Sequence, residues 1–284
     1  MEKAIEKAAV LIEALPYIKS FHHKVVVVKL GGAAMTDEKV LHSVVHDVVF
    51  MEQVGMFPLI VHGGGPRISA AMKEEGLEPR FVDGQRYTDE HTLEIVARVL
   101  VGEISADIVQ RIDRAGGVAV AVNGRDSAFL RGAKRTGTDL GLVGEITGVD
   151  CELAGRMLAG DIIPVVAPLA RGEDGTLYNV NADLAAARIA QELAAEKLVF
   201  LSDVPGILID KTDPDTLLST VTSDQVRDLM ESGKIEGGMV PKVTAGLESL
   251  AAGVNKVHLV GGNTPHSLLI EIFTDRGVGT QMVH

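Results

Sequence analysis

Cysteine is nearly missing from this chain. Cys151 is the only one among 284 residues, so no internal disulfide framework can form and the fold must rest on its core. That usage fits a reducing compartment, and Cys151 reads as a structural residue. Long apolar runs are missing too: nothing approaches the roughly 20 residues of a membrane span. The opening Met1-Glu-Lys-Ala-Ile-Glu-Lys7 mixes acids with bases where an export signal would be basic and then apolar. A cytoplasmic protein with no membrane partner is expected. Positive charge is in deficit, with 39 acidic against 27 basic residues and a net charge of −12. The overall field therefore repels nucleic acid and anionic lipid, and an anionic substrate needs a local basic pocket. There is no internal repeat, no low-complexity linker and no Gly-x-x-x-x-Gly-Lys-Ser/Thr loop. Gly63-Gly-Gly-Pro-Arg-Ile68 lacks the third glycine of a dinucleotide fingerprint. His42 and His46 lie one helical turn apart, but a neighbouring glutamate and a clear third ligand are missing, so no metal site is expected.

What is present is a strand and helix alternation over a composition that is 46% hydrophobic, enough for a substantial core. Residues 1–19 read as an amphipathic helix with Ile5, Ala8, Ile12 and Leu15 on one face, kinked at Pro16. From Lys24 the pattern runs Val25–Leu30, Thr36–Gly55, Phe57–Val61 and Arg67–Gly76, which is α/β winding with glycine turns after strands. A helix over Thr88–Ala115 and a strand over Val118–Val122 follow. Arg125–Asp150 reads as a β-hairpin region edging the sheet, and Ile162–Pro168 as a return to the parallel strands. A second half begins near Ala195, with strands at Lys197–Asp203 and Lys256–Val260 and helices at Ser223–Gly233 and from Pro241.

The chemistry concentrates in a few segments. Val25-Val-Val-Val-Lys-Leu-Gly-Gly32 sends a strand buried on both faces into Lys29, whose ammonium needs an anion there. Gly31 and Gly32 let backbone N–H groups approach a ligand closely, and a helix beginning at Thr36 adds a positive dipole end. The plain alternative is a snorkelling lysine and an ordinary tight turn. His62-Gly-Gly-Gly65 closes the next strand, and in a parallel sheet the two turns share one edge, where their N–H groups can form an anion nest. In Tyr178-Asn-Val-Asn-Ala-Asp183, the alternation of Asn179, Asn181 and Asp183 would turn all three to one side of an extended segment, with helix capping by Asn181 or Asp183 as the alternative. Gly237-Gly-Met-Val-Pro-Lys242 sets a lysine in the first turn of a helix, where it opposes the dipole unless an anion is bound. Arg86, just before a helix start, can fork onto a carboxylate.

Through Val28-Lys-Leu-Gly-Gly32, Val61-His-Gly-Gly-Gly-Pro66, Gly84-Gln-Arg86 with Thr88, Asn179-Val-Asn-Ala-Asp183, Leu201-Ser-Asp203 and Gly237-Gly-Met-Val-Pro-Lys242, the chain resembles the amino acid kinase family from Val25 to Thr280. The likeness is strongest to members that phosphorylate N-acetyl-L-glutamate. It implies a three-layer αβα sandwich with a mainly parallel central sheet, plus the kinked amino-terminal helix. It also implies an oligomerisation or regulatory helix over 1–24, an acceptor-binding and dimerising lobe over 25–195, and a nucleotide lobe over 196–284. The implied reaction moves the γ-phosphoryl group of ATP to the side-chain carboxylate of N-acetyl-L-glutamate, a step of arginine biosynthesis, with Mg2+ arriving on ATP. In that scheme Lys29 and Lys242 neutralise charge and Asp183 holds both ammonium groups. Gly64, Gly65, Arg86 and Asn179 bind the acceptor; Gly31, Gly32, Ser202, Asp203 and Gly238 bind the nucleotide.

The amino-terminal helix resembles that of arginine-inhibited hexameric members, which implies a trimer of dimers and L-arginine as inhibitor, with Lys197, Glu271 and Gly277 as its contacts. Ala33 and Tyr87 depart from the family pattern. Two other readings stay open: a catalytically idle nucleotide- or arginine-binding sensor on the same fold, and a kinase of another acceptor such as aspartate, glutamate, carbamate or UMP.

Overall fold

A computed structural model describes residues 2–82, 84–274 and 277–284; the side chains of residues 2–4, 6–8, 11, 33 and 34, Ala8 and Ala33 among them, lie outside the description. The chain opens with α1 (Glu2–Phe21), then winds β1 (Val25–Leu30), α2 (Glu38–Gln53), β2 (Phe57–His62) and α3 (Gly65–Glu74). A short pair, β3 (Phe81–Val82) and β4 (Gln85–Arg86), leads into a helical rod made of α4 (Glu90–Ala97), a π-helical segment (Arg98–Ser105) and α5 (Ala106–Arg114). The middle holds β5 (Ala119–Val122), β6 (Leu130–Lys134), β7 (Gly144–Val149), α6 (Cys151–Ala159), β8 (Ile163–Val166), β9 (Leu169–Arg171), β10 (Leu177–Asn179) and α7 (Ala182–Glu192). The last part holds β11 (Lys197–Ser202), β12 (Thr220–Thr222), α8 (Ser223–Glu231), α9 (Met239–Ala251), β13 (Lys256–Gly261), α10 (Ser267–Phe273) and β14 (Thr280–Val283).

The central sheet has the order β12-β14-β13-β11-β1-β2-β8-β5. Its described pairings are parallel except β13 with β14. This is an α/β fold with helices on both faces, as the alternating pattern implies. β1 lies in the middle, and its period of two divides the core: Val26, Val28 and Leu30 enter one apolar cluster and Val27 the other. All four are fully buried, and burial of such a side chain stabilises by roughly 1.5–3 kcal/mol. α7 lies on the second face with Ala185, Ala186, Ala187 and Ala190 buried, small side chains that let the helix approach the sheet closely.

Several local expectations shift. Asp37 caps α2 by accepting from the N–H groups of Lys39 (2.8 Å) and Val40 (3.2 Å), so the helix starts after Thr36. Residues Gly32–Met35 form a 3₁₀ turn, so the glycine pair opens into that turn and not directly into α2. α9 starts at Met239, two residues ahead of Pro241. The hairpin of Arg125–Asp150 forms as β6 and β7, but it does not edge the central sheet: it joins β9 and β10 in a separate sheet ordered β10-β9-β6-β7. α1 continues on both sides of Pro16, with Ile5, Val10, Ile12 and Leu15 exposed and Tyr17 edge-on to Phe273.

Candidate active site

Strand register brings the glycine turns together. Leu30 pairs with His62 across β1 and β2 and with Leu201 across β1 and β11, so Gly31-Gly32, Gly63–Gly65 and Ser202-Asp203 all leave the sheet at its carboxyl edge. Ligands bind at that edge in such sheets. Gly31 sits against Lys29, since a Cβ there would lie 2.5 Å from Nζ. Gly32 has φ +54, and a Cβ would run into the Asp203 carboxylate. Both positions of this turn need glycine, Gly31 on steric and Gly32 on conformational grounds.

Asp183 organises the charges. Its Oδ1 pairs with Lys29 Nζ at 2.7 Å and its Oδ2 with Lys242 Nζ at 2.6 Å. Lys29 comes from the end of β1, Asp183 from the first turn of α7 and Lys242 from the first turn of α9, so three elements converge. Burial alone would raise the Asp183 pKa; the two ammonium groups outweigh it and hold the carboxyl below its ordinary value. One carboxylate against two cations leaves the cluster with a net positive charge, which suits a polyanion. The extended array of Asn179, Asn181 and Asp183 does not form. Asn181 caps α7 by accepting from the N–H groups of Asp183 (2.8 Å) and Leu184 (3.1 Å), and Asp183 is already helical.

Two clefts flank this cluster. The larger, about 760 Å³, is lined by Ser202, Asp203, Gly238 and Lys242, with Lys211 and Lys234 also in its lining. Its size is within the usual range for a small-molecule site. The smaller, about 190 Å³, is lined by Gly63, Gly64, Gly65, Arg86 and Asn179, and by Asn181 and Ala182, the residues directly before Asp183 in the chain. Arg86 is buried; its Nη2 donates to Ser69 Oγ (2.8 Å) and Gly65 O (3.1 Å), and its guanidinium lies 4.8 Å from the Phe81 ring. Burial lowers its pKa, and the groups that hold it are neutral. A guanidinium so placed favours an incoming carboxylate. Asn179 Nδ2 donates to Thr88 Oγ1 at 3.1 Å, and Thr88 Oγ1 donates to Arg86 O at 3.0 Å, so Asn179 and Arg86 are tied through Thr88. Tyr87 turns away and stacks under Arg80 at 4.1 Å.

Lys197, Glu271 and Gly277 also meet, away from the cluster. Lys197 Nζ donates to His258 Nε2 (3.1 Å), and His258 Nδ1 donates to Glu271 Oε1 (2.7 Å). Glu271 Oε2 accepts from the N–H groups of Val278 (2.8 Å) and Gly279 (2.9 Å), and Gly277 packs against the same carboxylate. Phe21 of α1 lies 5.0 Å from Lys197 Nζ.

Sequence reasoning passes over Ser69, Lys211, Lys234 and His258. A lone serine on a helix and lysines in a loop carry no motif; His258 is a polar residue inside an apolar strand, which is a usable signal.

A lysine pair on one carboxylate, Lys29 buried and Lys242 bordering a nucleotide-sized cleft, beside a small cleft with a buried arginine, defines a site for an anionic donor and an anionic acceptor. The chain belongs to the amino acid kinase family, whose family model matches residues 24–261. Within it the chain falls among the acetylglutamate kinases: that of Pelotomaculum thermopropionicum is 48% identical over 288 residues, covering 98% of each chain. Among solved structures, N-acetylglutamate synthase from Neisseria gonorrhoeae is similar at 25% identity. Its complex with coenzyme A and N-acetyl-glutamate gives a TM-score of 0.86 over 98% of this chain, and its complex with coenzyme A and L-arginine gives 0.81 over 97%. This chain spans 63% and 65% of the lengths of those two synthase chains.

Proposed function

We propose that this enzyme, an acetylglutamate kinase, transfers the γ-phosphoryl group of ATP to the side-chain carboxylate of N-acetyl-L-glutamate. The observation that carries the reading is the Lys29–Asp183–Lys242 cluster lying between the two clefts. A carboxylate oxygen of the acceptor forms a bond to the γ-phosphorus as the bond from that phosphorus to the bridging oxygen of ADP breaks, giving an acyl phosphate and ADP. A side-chain carboxylate with pKa about 4.3 is already ionised at neutral pH, so the step needs no general base. Catalysis is then positioning and charge neutralisation. Lys29 faces the transferring group and Lys242 the leaving ADP, while Asp183 keeps both ammonium groups apart and in register. Gly31, Gly32 and Gly64 present N–H groups to phosphoryl oxygens, Ser202, Asp203 and Gly238 border the nucleotide, and Arg86 with Gly65 and Asn179 takes the acceptor's α-carboxylate end. Mg2+ enters with ATP. The ion is held mainly by phosphate oxygens and water.

The regulatory reading rests on other observations. Lys197, Glu271 and Gly277 converge next to Phe21 of α1, and a structurally similar synthase has been solved with L-arginine. L-Arginine is the inhibitor this cluster suits, its guanidinium on Glu271. The exposed Ile5, Val10, Ile12 and Leu15 of α1 suit a partner chain, consistent with a trimer of dimers. Among the described residues no helix is long and apolar enough to cross a membrane, and we place the enzyme in the cytoplasm. The lobe division at residue 195 fits the acceptor cleft lying mainly before it and the nucleotide cleft after it.

The test is ADP release from MgATP with N-acetyl-L-glutamate, run beside glutamate, aspartate and UMP, with and without arginine. Turnover with the acetylated acceptor alone, reduced by arginine, is expected. Silence with every acceptor would favour the idle sensor.

A further inference from the structure

His62, the last residue of β2, is fully buried and takes no part in the transfer described above. Its ring bridges two groups: Nδ1 lies 2.9 Å from the Gly63 carbonyl oxygen, and Nε2 lies 2.7 Å from Ser105 Oγ. A carbonyl oxygen can only accept, so Nδ1 carries the proton of the neutral ring and Nε2 accepts from the Ser105 hydroxyl. Burial pushes the His62 pKa down to about 4, which keeps the ring neutral.

Ser105 closes the π-helical segment Arg98–Ser105. The same segment meets Gly64 from another direction, since a Cβ there would lie 2.6 Å from Leu100 Cδ2 and 2.8 Å from Ile104 Cδ1. Segments of this kind are rare and concentrate at functional sites. In a trans peptide the N–H points opposite to the C=O. With the Gly63 carbonyl drawn to buried His62, the Gly64 N–H turns the other way, away from that ring, and Gly64 itself lines the small cleft with Arg86 and Asn179.

We propose that Ser105 and His62 form a positioning relay, Ser105 Oγ–H to Nε2 and Nδ1–H to Gly63 O, that holds the Gly63–Gly64 peptide with its N–H aimed at the transferring phosphoryl group. The proposal rests on the kinase reading above. His62 and Ser105 are positioning residues, acting through a backbone amide.

The test compares the full-length wild-type enzyme with His62→Leu, His62→Asn and Ser105→Ala. The amide of asparagine places an N–H near the position of Nδ1, whereas leucine removes the donor. His62→Leu should lower kcat about 30- to 100-fold with both KM values within about threefold, because the amide matters most where charge develops. His62→Asn should recover at least about tenfold of that loss, and Ser105→Ala should fall between wild type and His62→Leu. A merely structural histidine predicts a Tm loss that asparagine does not repair and no split between kcat and KM. Unchanged kcat in a folded His62→Leu, or His62→Asn no better than His62→Leu, overturns the relay. If His62→Leu does not fold, Ser105→Ala decides: wild-type kcat there overturns it. If the wild-type enzyme itself is silent with N-acetyl-L-glutamate, the kinase reading has failed, and crystal structures then judge the relay separately. The 63–64 peptide should keep its orientation in His62→Asn and turn over in His62→Leu, and an unmoved peptide in His62→Leu overturns the relay.

Discussion

Asp183 bears two cations at once, and that decides what substitution does at each of the three positions. Lys29→Ala leaves Asp183 paired with Lys242, so folding should survive while turnover falls about 10²- to 10³-fold with ATP affinity within about threefold, read by steady-state kinetics and nucleotide titration. Equal losses in binding and turnover would remove the role assigned to Lys29. Asp183→Ala is different, because it strands a buried ammonium: Lys29 is only 8% exposed, whereas Lys242 borders the open cleft and can reach water. Loss of about 3 kcal/mol in urea unfolding is expected, the scale for removing one partner of a buried pair. Arg86→Lys should raise KM for the acceptor about tenfold or more with a smaller change in kcat, since an ammonium cannot replace a forked guanidinium held by Ser69 and Gly65. Much of this site is readable from residues alone. Lys29 after four valines and the paired glycines carry their own physical argument, whereas Ser69 and His258 are ordinary residue types whose roles arise from neighbours far along the chain.

Elements differ in how openly they show themselves. The parallel winding from β1 to α3 follows from apolar period and glycine punctuation, and it appears with boundaries moved by a few residues. The rod from α4 to α5 reads as one helix over Thr88–Ala115 because a short widened stretch barely disturbs a 3.6-residue period; the π-helical segment inside it has no local marker. The hairpin of β6 and β7 is recognisable, but its sheet is not, since pairing with β9 and β10 is a long-range choice. At this scale α1 makes its own prediction. Removing residues 1–24 takes away the exposed Ile5, Val10, Ile12 and Leu15 and the Phe21 contact with Lys197, but leaves the Lys29–Asp183–Lys242 cluster untouched. The truncated chain should keep its turnover, fall to a dimer in light scattering and respond weakly to arginine. An intact hexamer would contradict this.

Over the whole molecule, buried ionisable groups set how stability follows pH. Burial, helped by neighbouring Lys256, lowers the Lys197 pKa from 10.5 to about 8. The folded state therefore binds this proton less tightly than the unfolded state, and between pH 8 and 10.5 unfolding takes up a proton. Stability attributable to this group thus rises with pH across that window. Lys197→Met should be more stable than wild type at pH 7, with the Tm difference narrowing towards pH 10; a constant difference would show that Lys197 is not titrating there. Asp183 acts in the same sense at the acid end. Its depressed pKa contributes stability that is present above the ordinary carboxylate range and lost as pH falls through the folded value.

The sequence by itself determined the class of fold, the glycine turns at the ends of β1 and β2 and the charged residues Lys29, Asp183 and Lys242, because strand period, glycine placement and a lysine at the end of an apolar strand are local constraints with few solutions. Only the tertiary structure decided that Asp183 takes both lysines, that Lys197, His258 and Glu271 join in one chain of hydrogen bonds, and that Ser105 reaches His62 across 43 residues. Those pairings depend on strand order and helix placement, which bring distant residues within hydrogen-bonding distance and which no local pattern encodes.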